Sequence, residues 1–215
     1  MQDYIYVLLS QTGTNVAKII RFFTRKPYNH ASIAADSSLN KMYSFCRNSP
    51  SMPLPATFNQ EIVGHGTLGK FPEIPCELYA IPVTRQQRLI FEHELEHFKL
   101  HRSMYSYSLI GMGTVLFQIS LHRRNKYVCS QFVAHVIEQS GISLPKPSVL
   151  CTPEDLRHIP GAQLIYQGEL NDYVNHLFLH SFIGAVSAPA SDMPAQRTAQ
   201  PGAAEPLAGS GVSRA

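Results

Sequence analysis

Apolar and polar residues alternate at the start of the chain, and this pattern predicts a β-rich first third. Residues 3–9, DYIYVLL, have the period-two alternation of a strand. Residues 29–36 and 41–46 predict a hairpin around the polar turn DSSLN, so that His30 opens its first strand. Between these segments, residues 15–27 have helical spacing and end at a proline, which predicts a helix.

The middle of the chain predicts a loop, a strand and a long helix. Residues 48–75 are rich in proline, glycine and serine, and we expect them to be mostly loop. The segment CELYAIPV at 76–83 predicts a further strand, and residues 84–104 predict a helix. Another strand, QLIYQG, is expected at 163–168.

A second helical pattern begins at Cys129. The segment CSQFVAHVIEQSGISLP has apolar residues at helical spacing, namely Phe132, Val133, Val136 and Ile137. Gly141 followed by Pro145 is a typical stop signal. TPED at 152–155 has a threonine cap, a proline at the first helical position and acids in the first turn, which predicts another helix start. Cys129 is therefore expected at a helix N-terminus.

The end of the chain separates into two parts. Residues 171–186 predict an amphipathic helix with apolar residues at helical spacing, including Tyr173, Leu177 and Phe182. Residues 187–215 are rich in alanine, proline and glycine without apolar periodicity, and we expect them to be disordered. The predicted organisation is a domain at 1–170, the helix and the tail.

The composition favours one packed core and gives no sign of a nucleic-acid partner. The 215 residues suit a single domain with an appendage, and 44% of them are hydrophobic. The formal net charge is only +3 and no long basic run occurs, so we expect no nucleic-acid binding. The longest apolar stretch, 108–121, is too short for a transmembrane span, and it suits either burial or peripheral contact with a membrane.

The N-terminus and the cysteines favour a cytoplasmic protein. The first residues lack the charged start and small-residue cleavage site of a signal peptide. Four cysteines, Cys46, Cys76, Cys129 and Cys151, form no C-x-x-C pair, which favours reduced thiols in a cytosol-like compartment. A free thiol is then available for chemistry.

The segment HELEH raises the alternative of a zinc metalloprotease, in which two histidines one helical turn apart bind the metal and the glutamate activates water. His93, Glu94 and His97 match this pattern. However, Phe91, Leu95 and Phe98 form the apolar stripe of the same helix, so that the histidines point towards solvent. The residues after the motif do not extend it to a third histidine ligand. We expect a charged helix face here, with no metal and no cofactor.

Cys129 is the best candidate for a nucleophile. A helix N-terminus lowers the pKa of a thiol because it presents unpaired N–H groups and positive partial charge. The other three cysteines lie in or beside strands or before a helix cap, and we interpret them as packing residues. From position alone, a buried packing role suits Cys129 equally well.

The segment around Cys129 also resembles a known family. It matches the nucleophile helix of NlpC-type papain-like cysteine hydrolases, C-S-x-F-V-x-x-V-x-x-x-x-G-I-x-L-P. The matching residues are Cys129, Ser130, Phe132, Val133, Val136, Gly141, Ile142, Leu144 and Pro145. The matching histidine strand, NHASIAAD, lies upstream, an order similar to the circularly permuted branch that includes lecithin:retinol acyltransferase-like proteins. The resemblance covers about residues 3–170.

This resemblance implies an α+β fold, with an antiparallel sheet packed against helices and His30 facing Cys129. The family usually has a third polar group on the next strand, and the corresponding residue here is Ser44. Because a serine brings no negative charge, Glu61 or another residue is an alternative partner of the histidine. Tyr127 and Ser130 are candidates for contact with the substrate or the oxyanion.

The expected activity is a thiol-dependent hydrolase that cleaves peptide-like amides, such as cell-wall peptides, through a Cys–His acyl-enzyme mechanism. An acyl-lipid substrate on the same fold is a close alternative. A catalytically silent binding module is a third interpretation, motivated by Ser44, and the zinc protease is the least favoured.

Overall fold

A computed structural model of the chain describes residues 2–13, 25–47, 56–107 and 125–186, with side chains up to residue 179. The predicted helix at 15–27 lies almost entirely outside the described residues. The apolar stretch at 108–121 and the tail at 187–215 lie wholly outside them.

The protein has an α+β fold, in which four described helices pack against a six-stranded antiparallel sheet. The sheet strands are β1 (Asp3–Ser10), β2 (His30–Ala34), β3 (Met42–Arg47), β4 (Ala56–Glu61), β5 (Pro75–Val83) and β8 (Gln163–Glu169). Their order across the sheet is β4-β3-β2-β1-β5-β8. A short parallel pair is formed by β6 (Ser106–Tyr107) and β7 (Lys126–Tyr127).

The helices begin close to the predicted positions. They are α1 (Arg85–Leu100), α2 (Cys129–Gln139), α3 (Pro153–Leu156) and α4 (Leu170–Val186). Short 3-10 helices follow at Arg102–Met104 and Ser148–Leu150. Among the described helices, none combines the length and apolar character that a bilayer span requires.

The strand predictions are confirmed for β1, the β2–β3 hairpin, β5 and β8, whereas the prediction that 48–75 is mostly loop missed β4. In β4, Ala56 and Phe58 are buried and alternate with partly exposed residues. The strand is short and lies at the sheet edge, between a proline-rich segment and a glycine-rich turn. The flanking composition therefore concealed a period-two pattern.

The helix caps differ in a way that matters for the site. Thr84 caps α1 and Thr152 caps α3, each accepting a hydrogen bond from a first-turn N–H. The cap position of α2 is Val128, whose side chain makes no such bond. The first-turn N–H groups of α2 are therefore not satisfied by a cap side chain.

The two faces of the sheet bury different clusters. One face packs against α1 and α2 through an aromatic group consisting of Phe45, Phe58, Phe98, Tyr127 and Phe132. The other face, with Leu8, Met42 and Leu78, is covered by residues from the 62–74 loop and by Leu170 at the start of α4. The helix α4 is held further by Tyr173, whose hydroxyl donates to the Ser37 carbonyl at 2.8 Å.

Phe132 lies at the centre of the aromatic group, fully buried, with ring centroids 5.4 Å from Phe45 and 5.0 Å from Phe98. We expect Phe132→Ala to lower the free energy of unfolding by about 3–5 kcal/mol, since it removes apolar contact and leaves a cavity. Urea denaturation measures the change. The control is Leu100→Ala, because Leu100 is 74% exposed and its loss should cost less than about 0.5 kcal/mol. Equal effects of the two substitutions would contradict the central role of Phe132.

Candidate active site

The fold brings His30 and Cys129 into hydrogen-bond contact, although they are about 100 residues apart in sequence. His30 is the first residue of β2, and Cys129 is the first residue of α2. The Cys129 side chain is almost wholly buried, with the residue 8% exposed, and the His30 side chain is 12% exposed. The thiol therefore meets the imidazole at a largely enclosed point that solvent still reaches.

Glu61, at the end of β4, is the carboxylate partner of His30. The Nε2 atom of His30 lies 3.0 Å from each carboxylate oxygen of Glu61. The hydroxyl of Ser32 donates to the same carboxylate at 2.5 Å. Because Nε2 is occupied by Glu61, the Nδ1 atom is the ring nitrogen left to face the sulfur of Cys129. The three side chains form a relay in the order sulfur, imidazole, carboxylate.

Ser44 lies elsewhere in this arrangement. Its buried hydroxyl donates to the backbone carbonyl of Ala31 at 2.7 Å. The side-chain contacts of His30 that the structure describes go to Glu61, Ser32 and Cys129. The resemblance implied Ser44 as the polar partner of His30, with Glu61 as the alternative. In the structure, His30 bonds to Glu61.

Several groups stabilise a negative charge on the Cys129 sulfur. Burial alone would raise the pKa of this thiol, but the hydrogen bond and charge of His30 outweigh it. Backbone N–H groups of Ala31 and Ser130 bond the sulfur as well. The net result is a pKa below the ordinary value of 9.0. The uncapped first turn of α2 supplies one of these donors.

The pKa of His30 is raised and that of Glu61 is lowered, so that both shifts favour the charged forms. Burial alone would lower the pKa of His30, but the charge of Glu61 and the bonds to Cys129 and Glu61 hold it well above 6.5. Burial alone would raise the pKa of Glu61, but the charge and hydrogen bond of His30, with donors from Ser32 and Cys46, hold it below 4.5. The pKa shifts of all three groups thus favour their charged forms, a thiolate, an imidazolium and a carboxylate in a row.

Tyr127 and Ser130 are close to Cys129 in the sequence, and their side chains make different contacts. The Tyr127 ring packs within the aromatic group, 5.3 Å from the Phe45 ring, and burial raises its pKa to about 12. The Ser130 hydroxyl is buried and donates to the Cys151 carbonyl at 2.7 Å. Ser130 contributes to the sulfur through its backbone N–H, and its side chain ties α2 to the following segment.

The other three cysteines have raised pKa values. Burial raises the pKa of Cys76 and of Cys151 to about 12. Burial and the charge of Glu61 also raise the pKa of Cys46, whose thiol donates to Glu61. Cys46 and Glu61 lie on the wall of a cleft of about 190 Å³. Cys129 is the one cysteine whose pKa is lowered.

The HELEH segment lies on the outer face of α1, as its apolar stripe predicts. The His93 side chain is 78% exposed. His97 contacts the Tyr105 hydroxyl through Nε2 at 3.1 Å, and its ring lies 4.4 Å from that of His101. Within the described residues, no three His, Cys, Asp or Glu side chains are grouped so that they could hold a metal ion.

The sequence gives Glu61 less weight than the geometry does, because the composition of residues 48–75 does not predict β4. Two signals in the sequence point to it. The segment ATFNQE alternates apolar and polar residues, and Glu61 is the single acidic residue between Asp36 and Glu73. A buried imidazolium needs a nearby carboxylate, and this isolated acid is the one that the segment offers.

We expect Cys129 to react with iodoacetamide at lower pH than an ordinary thiol. Reactivity follows the thiolate fraction, so the rate should fall as pH drops through a midpoint below 9.0. Cys76 and Cys151, with pKa values near 12, serve as controls within the same molecule and should react far more slowly at neutral pH. Rates for each cysteine are measured by mass spectrometry of the alkylated peptides. A Cys129 midpoint at or above 9.0 would contradict the described site.

Replacing the carboxylate with an amide separates its charge from its hydrogen bond. Glu61→Gln keeps an acceptor for Nε2 but removes the charge that stabilises the imidazolium. The pKa of His30 should therefore fall and that of Cys129 rise, and alkylation of Cys129 near pH 7 should slow roughly tenfold. Glu73→Gln removes the same charge from an exposed position and should leave the rate nearly unchanged. Equal rates for both variants would show that Glu61 does not control the thiol.

No protein-family model matches the chain, and no curated protein is significantly similar to it in sequence. The resemblance to NlpC-type hydrolases therefore stays a prediction that depends on the residues quoted for it. The geometry and charge of Cys129, His30 and Glu61 are the basis for the function proposed below.

Proposed function

We propose that the protein is a thiol-dependent hydrolase that cleaves peptide-like amide bonds through a covalent acyl-enzyme. The observation that carries this proposal is the hydrogen-bonded series of Cys129, His30 and Glu61, in which the thiol pKa is lowered and the imidazole pKa is raised. A packing cysteine needs no such surroundings, as Cys76 and Cys151 illustrate.

The first half of the reaction forms a thioester. The Cys129 thiolate attacks the substrate carbonyl carbon, and the C=O π electrons move to oxygen to give a tetrahedral oxyanion. When the oxyanion collapses, the C–N bond breaks and the Nδ1 proton of His30 passes to the leaving amine. The backbone N–H of Cys129, in the uncapped first turn of α2, is a candidate donor to the oxyanion.

The second half restores the enzyme. His30 accepts a proton from water, the resulting hydroxide attacks the thioester carbonyl, and the C–S bond breaks to release the carboxylic acid. Glu61 keeps Nε2–H oriented and stabilises each imidazolium that forms. The raised pKa of His30 favours amide substrates, because an amine leaving group needs a proton donor that stays protonated at neutral pH.

The family proposed for the chain is the circularly permuted branch of NlpC-type papain-like hydrolases. Support comes from the order of the site residues, with the histidine strand before the nucleophile helix, and from the antiparallel sheet packed against helices. The described geometry departs from the family pattern in one respect: the histidine bonds to a carboxylate on β4, one strand beyond the strand of Ser44.

The proposal is tested with purified protein and a library of fluorogenic amide substrates, including cell-wall-type peptides, alongside acyl esters. Cys129→Ala should abolish hydrolysis, and His30→Gln should lower kcat by at least about a thousandfold, since the thiolate and its proton donor are lost together. Cys76→Ala, which alters a buried cysteine outside the relay, should retain activity.

The outcomes separate the alternative functions. Hydrolysis of esters but not of amides would favour the acyl-lipid alternative. Ordinary thiol reactivity of Cys129, together with no turnover of either substrate class, would favour a silent binding module. Activity that survives Cys129→Ala would exclude the thiol mechanism altogether.

A further inference from the structure

The ladder between β2 and β3 opens at the end that carries the site. These strands pair at only two positions, Ile33 with Tyr43 and Ala34 with Met42. By contrast, β3 pairs with β4 at six positions and β1 pairs with β2 at five. A continued register would place Ala31 opposite Phe45, but this pairing does not form. The β2 residues without a β3 partner are therefore His30, Ala31 and Ser32.

Two side chains occupy the backbone groups that the missing pair leaves unbonded. In an antiparallel sheet, the N–H and C=O of one residue point to the same neighbouring strand. The Ala31 carbonyl accepts from the Ser44 hydroxyl at 2.7 Å, and the Ala31 N–H bonds the sulfur of Cys129. Each group that β3 would have bonded is thus satisfied by a side chain.

The gap also lets residues from opposite faces of the sheet meet. Cys129 arrives on α2, which packs against the aromatic face. His30 and Ser32 alternate with Ala31 and Ile33, which belong to the aromatic face, so they point to the other side. A closed ladder at Ala31 would give the Ala31 N–H to the Phe45 carbonyl in place of the sulfur.

We propose that Ser44 is a positioning residue that holds the β2–β3 ladder open, so that the Ala31 N–H is directed at the sulfur of Cys129. This inference rests on the proposed function, because it gives Ser44 a role in activating the proposed nucleophile. It differs from the family expectation, in which this position contacts the histidine.

The consequence of losing the hydroxyl follows from burial. Ser44 is fully buried, so Ser44→Ala leaves the Ala31 carbonyl without its donor. In the continued register the replacement donor is the Phe45 N–H, and pairing with it closes the gap. Closure withdraws the Ala31 N–H from the sulfur and removes one hydrogen bond from the thiolate. A substitution at Ser44, which touches neither Cys129 nor His30, should then raise the pKa of the Cys129 thiol.

The test compares Ser44→Ala with a matched control, Ser140→Ala. Ser140 is also fully buried and donates to a backbone carbonyl, that of Val136, at the same 2.7 Å, but at the far end of α2. The pH dependence of Cys129 alkylation by iodoacetamide is measured for each full-length variant by peptide mass spectrometry, with thermal unfolding recorded in parallel. Ser44→Thr is included because it retains the hydroxyl.

We expect Ser44→Ala to move the midpoint of the Cys129 profile to higher pH and slow alkylation near pH 7 by roughly tenfold, the effect of one hydrogen bond to a charged group. Ser44→Thr should keep the wild-type pH profile of Cys129 alkylation. Ser140→Ala should lower the melting temperature but leave that pH profile unchanged. If Ser44→Ala and Ser140→Ala both leave the profile in place, or Ser44→Ala fails to fold while Ser44→Thr folds with a shifted profile, the inference is overturned.

The alkylation measurement does not depend on turnover, so it separates two kinds of failure. A shifted profile in Ser44→Ala together with no hydrolysis of any substrate would reject the proposed function and retain the role of Ser44. Hydrolysis by the wild-type protein, with an unchanged profile and unchanged kcat in Ser44→Ala, would reject the role of Ser44 alone.

Discussion

The site depends on the buried contact between His30 and Glu61. A buried imidazolium without a counter-charge would lose its proton, because desolvation disfavours the charged form. With Nε2 at 3.0 Å from both carboxylate oxygens, the charge is stabilised and Nδ1 is the ring nitrogen left for the cysteine. Against the effect of burial, the charge of Glu61 raises the pKa of His30, and the hydrogen bond and charge of His30 in turn lower the pKa of Cys129.

The helix α2 lacks a cap side chain, and this leaves first-turn N–H groups free to bond the Cys129 sulfur. A Ser, Thr, Asp or Asn cap typically adds about 1 kcal/mol to a helix, and both α1 and α3 have threonine caps. Val128 provides no such acceptor, so a first-turn N–H remains to bond the sulfur. The start of α2 is anchored instead by side chains that reach neighbouring backbone, such as Gln131 to the Val149 carbonyl at 2.7 Å.

The sequence predicted the elements whose periodicity is strong and the residue whose chemistry follows from a helix start. Cys129, His30 and the hairpin were located in this way. The carboxylate partner of His30 is harder to predict, because it lies on β4, two positions away from β2 in the sheet. In addition, β4 is a short edge strand between proline-rich and glycine-rich segments. The contact of Ser44 with Ala31 could not have been predicted, since the sequence does not show that the β2–β3 ladder stops after two pairs.

The relay has a local part and a distant part. His30 and Glu61 lie on strands of one consecutive meander, β2 to β4, whereas the sulfur arrives on a helix about 100 residues beyond the histidine. Closing so long a loop costs conformational entropy that native packing must offset, and the aromatic contacts of Phe132 with Phe45 and Phe58 supply part of it. During synthesis or after partial unfolding, the Cys129 thiol therefore lacks the contacts with His30 and Ala31 that lower its pKa. The lowered pKa of Cys129 is therefore a property of the folded chain, established when α2 docks on the sheet.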